Sequence, residues 1–247
     1  MEKKENFLRL PVWYPILAGH TFLTSFVKLR LEALALLASG ENLELENKGK
    51  VNPVVASVIE DLRKPMAAIP GNCFISVDSC APTDTERFLN KRGAVYSPES
   101  AWRVLAQSDK VRWAASKGKV EYICLRPFRR MSWPREFRLF ILDGQLNAMS
   151  QYHLIRHFRR LEGIRGKLWE QAKEFVDRIS WMLPLKTLVM DVYFTSSGEI
   201  LIIDLNPWGE ETDPLLLRRW DRDWSIPAGI VLMDPPKKIS GDISVSF

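Results

Sequence analysis

Asp191, Asp204 and Asn206 sit in two aliphatic, β-branched runs, Val189-Met190-Asp191-Val192-Tyr193-Phe194 and Ile200-Leu201-Ile202-Ile203-Asp204-Leu205-Asn206-Pro207, separated by the polar Thr195-Ser196-Ser197-Gly198. Runs of this kind predict two strands joined by a tight turn. Side chains alternate faces along a strand, so Asp204 and Asn206 should point the same way. An even-length turn would put Asp191 on that face too. Two carboxylates so close repel each other and call for a compensating cation. Two aspartates and an asparagine supply only hard oxygens, the donors Mg²⁺ takes when phosphates complete its shell. The competing reading is strand-end acids in water, paired with Lys or Arg. Three oxygen donors on one face, deep among Val, Ile and Leu, favour the metal.

A phosphate-binding partner for such a metal is legible upstream. Residues 136–142, the pair Asp143-Gly144 and residues 145–151 predict a hairpin with a type I′ turn, because Asp-Gly supplies the two positive φ values. A two-residue loop sets Glu136 opposite Gln151, Arg138 opposite Met149 and Phe140 opposite Asn147. Glu136, Arg138, Asn147 and Gln151 then form a polar face that must look into water or a ligand cleft. Arg138 on a rigid strand can grip phosphate with fixed geometry. No GxxxxGK[ST], GxGxxG or HExxH pattern is present. His153 and His157 have a helical metal-ligand spacing, but they follow directly on a strand in an arginine-rich stretch, which argues against zinc.

The elements that position these residues read as α+β. Helices are expected over residues 21–39, closed by Gly40, and over 53–64, opened by Pro53 and stopped by Pro65. Further helices are expected over 83–90, 98–107 and 161–183. Short strands are expected over 73–77 and 120–125. The tail from Trp220 onward is Pro-rich and gives no clear period.

Composition narrows the class. The chain has 247 residues, 46% of them apolar, enough for one large or two small domains with a core. No apolar run approaches the roughly 20 residues of a membrane span. The charged start at residues 1–6 lacks a signal-peptide core, so a cytoplasmic location is expected. Cys73, Cys80 and Cys124 have neither zinc nor disulfide-frame spacing and read as reduced thiols. The net charge of +5 suits a polyanion. Its arginines crowd two segments, Arg126 to Arg138 and Arg156 to Lys167, which flank the hairpin. With nine tryptophans, they suggest RNA as a partner.

A further set of residues carries a resemblance. Trp13-Tyr14-Pro15 with Thr21 and Ser25 comes first, then Ala81-Pro82-Thr83-Asp84. Glu136-Phe137-Arg138 with Ser150-Gln151 follows, then Asp191-Val192-Tyr193. The block Ile203-Asp204-Leu205-Asn206-Pro207-Trp208-Gly209-Glu210, with Thr212-Asp213 and Leu215-Leu216, completes the set. In order and spacing these resemble the cell division cycle protein 123 family, a divergent ATP-grasp group, from about Trp13 to Leu217. The compact chain without acidic tails suggests a short prokaryotic or viral member.

The resemblance implies an ATP-grasp fold, two lobes whose antiparallel sheets sandwich a nucleotide, with helices outside. The lobes are expected at residues 1–124 and 125–247. It implies Asp191, Asp204 and Asn206 as Mg²⁺ ligands. It implies Arg138 as the catalytic, phosphate-contacting residue, and Leu125-Arg126-Pro127 as the hinge whose backbone reads adenine. Ala81 and Gln151 are expected beside the nucleotide. The cofactors implied are ATP and Mg²⁺, in a monomer. The activity implied is either an ATP-dependent ligase, possible on RNA, or an assembly chaperone for translation initiation factor 2. A nucleotide-binding protein without turnover is the third reading. The chain departs from the family at Ser76, where a Lys is usual. Either Arg126 or Arg112 replaces that charge, or ATP binding is weakened.

Overall fold

The computed structural model describes residues 7–41, 43–47 and 50–236. The charged start and the last part of the tail lie outside the described residues. The chain divides into two compact units. One is Met1–Met131 with Leu201–Leu205; the other is Ser132–Ile200 with Asn206–Phe247.

The first unit runs α1 (Leu10–Leu17), β1 (Ser25–Lys28), α2 (Leu31–Ser39), β2 (Glu46–Asn47), β3 (Lys50–Val51) and α3 (Pro53–Ala67). It continues with β4 (Cys73–Val77), α4 (Glu86–Lys91), β5 (Ala94–Val95), α5 (Pro98–Ala106), α6 (Asp109–Ser116) and β6 (Tyr122–Pro127). Its four-stranded sheet has the order β1-β6-β4-β5, antiparallel throughout. Leu37, Val55, Ile59, Leu62, Trp102 and Leu105 from the helices pack with Ile75, Val77, Ile123 and Leu125 from the strands. α3 starts as expected, with Pro53 in its first turn and the Asn52 side chain accepting from the Val54 and Val55 amides. It passes Pro65 and ends at Ala67, because a proline so near the end forfeits little of the ladder. The single helix expected over 21–39 is a strand followed by a helix. Ser25–Lys28 takes its hydrogen bonds from β6, with Phe26 opposite Cys124. That tertiary pairing overrides the local helical pattern. Gly40 does close α2, in the left-handed region at φ 72, its N–H reaching Leu36 O.

The second unit holds β7 (Glu136–Leu142), β8 (Gln145–Gln151), α7 (Arg159–Glu162), α8 (Arg165–Ile179), β9 (Leu188–Phe194) and β11 (Gly229–Val231). β10 (Ile200–Asn206) completes a five-stranded sheet of order β10-β9-β7-β8-β11, its middle residues being grouped with the first unit. The helix expected over 161–183 is broken at Gly163-Ile164. α8 buries Leu168, Ala172, Phe175, Val176 and Ile179.

The hairpin turn forms as expected, with Asp143 at φ 52 and Gly144 at φ 79. The register does not continue as expected. Leu142 faces Gln145 and Ile141 faces Leu146, but beyond a bulge Phe140 faces Ala148 and Arg138 faces Ser150. Asn147 is the extra residue. A one-residue slip moves every later side chain of β8 to the other face. Ser150, not Met149, lies across from Arg138, and Gln151 lies across from Phe137. The bulge has a partner: Asn147 donates through Nδ2 to Trp224 O (2.7 Å) and accepts from the Ala228 amide (2.9 Å), which seats β11 parallel to β8.

In the first unit, Asp84 organises the loop after β4. Its Oδ1 accepts from the Ser108 hydroxyl (2.6 Å) and its Oδ2 from the Lys110 amide (3.1 Å) at the start of α6. Partial burial works upward on this carboxyl, but those hydrogen bonds outweigh it and hold the group below the usual aspartate range. The unfolded chain therefore takes up the proton first as pH falls. Wild-type stability should decline as pH drops through and below about 3.9, the ordinary aspartate value. Asp84→Asn should lose less over the same window, as read from urea unfolding at successive pH values.

Candidate functional site

Pairing of β7 with β9 sets Arg138 directly across from Asp191. The guanidinium takes the carboxylate with two parallel bonds, Nε to Oδ1 at 2.7 Å and Nη2 to Oδ2 at 2.8 Å. Nη1 donates to Asp213 O at 2.6 Å, and the Tyr152 ring lies 5.4 Å from the guanidinium carbon. Both side chains are only 8% exposed. Burial works against the charged guanidinium, but the bonds and charge of Asp191 more than offset it, and Arg138 ends above its ordinary value. The cation that the sequence demanded beside Asp191 is thus Arg138 itself, before any metal is considered.

Asn206 reaches the same carboxylate, donating from Nδ2 to Asp191 Oδ2 at 3.1 Å. The route differs from the expected one. The β9–β10 turn closes with the Thr195 amide on Glu199 O (2.8 Å), leaving three residues between them, an odd loop. That alone would turn Asn206 away from Asp191. Burial along β10 does not alternate strictly: Ile200, Ile202 and Leu205 are buried, and Ile203 and Asp204 between them are both half-buried. Asp204 Oδ1 accepts from the adjacent Leu205 amide at 2.9 Å.

In the first unit, Arg126 is buried. Its Nε donates to Thr24 Oγ1 (3.1 Å) and its Nη1 to Ile203 O (3.0 Å). Burial pushes this guanidinium below its usual value, against the favourable charge of Asp204. Thr21 also holds the middle of β10, donating from Oγ1 to Ile202 O (2.6 Å). Leu125, Arg126 and Pro127 are the last residues of β6, with Leu125 paired to both Ser25 and Ile75. Ser76, where the resemblance leads to the expectation of a lysine, is buried opposite Cys124 and hydrogen bonded to its thiol. Arg126 follows Cys124 by two residues and so shares that face of the sheet. Arg112 is instead half-buried on α6, paired with Asp109 at 2.9 Å. Of the two candidate replacements, Arg126 is the cation on the Ser76 face. Ala81 lies in the loop after β4, its carbonyl accepting from the Thr83 amide (2.8 Å). All three cysteines are free, and burial pushes the Cys80 thiol up to about 11.

Other expected residues are engaged elsewhere. Gln151 donates from Nε2 to Arg156 O (2.8 Å) and to His153 O, and its Oε1 accepts from the Met233 amide (3.3 Å). His153 approaches Glu136 (3.1 Å) and His157 approaches Glu162 (2.8 Å), so the two histidines serve different partners. Among the described residues, no group of three or more His, Cys, Asp or Glu is gathered as a metal site. Asp191 and Asn206 are nonetheless in contact and offer the hard oxygens that suit Mg²⁺. Of the arginines credited to a basic surface, Arg135 binds the Phe194 and Thr195 carbonyls and Arg165 binds Ile230 O. Trp208, Trp220 and Trp224 form a cluster with Phe140, with Trp–Trp ring centroids 4.6 to 5.4 Å apart. Those rings pack on one another instead of waiting for bases. Apart from the tryptophans themselves, no local pattern announces this cluster.

The family model for D123 matches residues 39–222. The chain belongs to the D123 family. A translation initiation factor eIF2 assembly protein from Danio rerio is 33% identical over 95 residues, 38% of this chain and 27% of that protein. Cell division cycle protein 123 from Candida glabrata is 32% identical over 96 residues, with the same shares. The match thus spans 27% of the length of either curated relative. Cdc123 from Schizosaccharomyces pombe superposes with a TM-score of 0.77 at 17% identity, covering 93% of this chain and 96% of that one, which establishes the α+β fold as the Cdc123 fold. These relatives are animal and fungal, so the comparisons lend no support to a prokaryotic or viral member. No helix among the described residues is long and apolar enough to cross a membrane.

Asp191→Asn keeps the shape of the side chain but strands a buried guanidinium. Two carboxylates in uncompensated repulsion would gain from this change. With Arg138 in place the opposite is expected, a loss of about 3–5 kcal/mol in urea unfolding of the metal-free protein. An unchanged or raised midpoint would show that the pair contributes nothing.

Proposed function

We propose that this D123-family chain binds Mg²⁺-ATP and acts as an assembly chaperone on a protein partner, translation initiation factor 2 or its counterpart. The observation that supports it is the coincidence of family, fold and donors. Relatives that match the chain are named as eIF2 assembly proteins, and the Cdc123 fold covers nearly all of it. The hard-oxygen residues fall within the family's matched region. Asp191, Asp204 and Asn206 would hold Mg²⁺. Bound to ATP, the metal would screen phosphate charge. Arg138 would keep its grip on Asp191 while contacting phosphate, because a guanidinium has five N–H donors and three are in the bonds described. Arg126 would add charge on the Ser76 face. The end of β6, with Ala81, would border the adenine.

The ligase reading uses the same residues. It requires that bound ATP activate an acceptor for attack, with Mg²⁺ and Arg138 stabilising the developing charge. RNA is the less favoured partner, since several of the arginines and tryptophans that suggested it serve internal contacts.

Calorimetry should show ATP or ADP binding that requires divalent metal and is lost in Asp204→Ala. Equal affinity in wild type and variant would remove Asp204 from the site. ATP turnover measured with purified initiation factor 2 subunits separates the two activities. Subunit joining driven by ATP, without a ligated product, is the chaperone outcome; a new covalent bond is the ligase outcome.

A further inference from the structure

The segment after β10 does not lie free on the second unit. Arg138 Nη1 holds Asp213 O at 2.6 Å, and the Ser150 hydroxyl accepts from the Leu216 amide at 3.2 Å. Thr212 Oγ1 donates to Pro207 O (2.6 Å), and the Trp220 indole donates to Thr212 O (2.7 Å). Leu217 is buried with Phe140, Ala148 and Val189. Residues 207–217 are therefore fastened over the face that carries Arg138, Asp191 and Ser150. The polar face that the hairpin was expected to turn toward water or ligand is roofed along part of its length.

The same arginine fixes how Asp191 can act. A carboxylate has about four lone-pair positions. Oδ1 accepts Arg138 Nε, while Oδ2 accepts both Arg138 Nη2 and Asn206 Nδ2. Three positions are filled, and the one left is on Oδ1. We propose that Arg138 is a positioning residue: it fastens residues 207–217 and orients Asp191 so that one lone pair of Oδ1 faces a divalent cation. A carboxylate limited to one free position coordinates through a single oxygen, which suits the small octahedral Mg²⁺ and handicaps Ca²⁺, which often takes carboxylates two oxygens at a time. The cation half rests on the Mg²⁺ reading above. The fastening half does not.

Hydrogen exchange on the metal-free full chain tests the fastening. Arg138→Met should lower protection of the Leu216 and Leu217 amides by about tenfold, the effect of losing one charge-assisted bond. The pairing of Ile141 with Leu188, further along the sheet, should keep its protection. Arg138→Lys retains the charge but lacks the fork, so it should loosen the segment like Met. If both variants fail to fold, Ser150→Ala leaves the ion pair intact and should still expose Leu216. Unchanged protection in whichever of these variants fold would overturn the fastening.

Titration with Mg²⁺ alone, and with Ca²⁺ alone, tests the orientation. Removing a positive charge beside a carboxylate should tighten cation binding if Arg138 acts by charge only. Positioning predicts the reverse, roughly tenfold weaker Mg²⁺ binding in Arg138→Met and Arg138→Lys, with a smaller preference over Ca²⁺. Tighter Mg²⁺ binding would overturn the orientation. No Mg²⁺ binding by wild type would overturn the metal reading and the orientation together, while the exchange result still decides the fastening.

Discussion

The second unit depends on one buried ion pair. Arg138 and Asp191 lie on neighbouring strands, directly opposite, with both carboxylate oxygens and three guanidinium donors in use. Placing two charges in a poorly solvated site costs more than most contacts return. It is tolerated here because the geometry is bidentate and the leftover groups find partners in Asn206 and the Asp213 carbonyl. The pair adds little net stability over an apolar equivalent. What it adds is definition, since it fixes the mutual position of β7, β9, the end of β10 and the segment that follows.

Around that pair the sheet face is divided. Toward Arg138 it is polar; toward Phe140 it is aromatic, closed by Trp208, Trp220 and Trp224. The segment 207–217 crosses both halves, held by hydrogen bonds at one end and by Leu217 at the other. The other face packs under α8, which leaves the strands buried on both sides. The first unit uses a different device. Arg126 is buried with neutral oxygens from Thr24 and Ile203, and the Asp204 charge acts on it from nearby. Each candidate metal carboxylate thus has an arginine of its own unit acting on it.

Much of this was legible in the residues alone. The aliphatic, β-branched runs that carry Asp191, Asp204 and Asn206 pointed to the two strands found there. Asp143-Gly144 specified its turn, because few dipeptides accept two positive φ values. Pro53 and Gly40 marked helix ends through backbone chemistry that acts within a few residues. The motif order from Trp13 to Leu217 identified the family. Such signals are local, and local chemistry survives whatever the rest of the chain does.

Register and pairing were decided by the tertiary structure. Strand alternation read from sequence assumes no slip, yet Asn147 inserts one residue, and that slip transfers every later side chain of β8 to the other face. It exchanged Met149 for Ser150 opposite Arg138. Residues 25–28 became a strand because β6 offered backbone partners that no local pattern reveals. Asp191 was expected to need a compensating cation, and the one the fold sets beside it is Arg138, 53 residues upstream. Sequence fixes which charges must be compensated; only the folded chain determines which of many arginines is near enough, since Coulomb attraction and desolvation depend on distance and burial and not on separation along the chain.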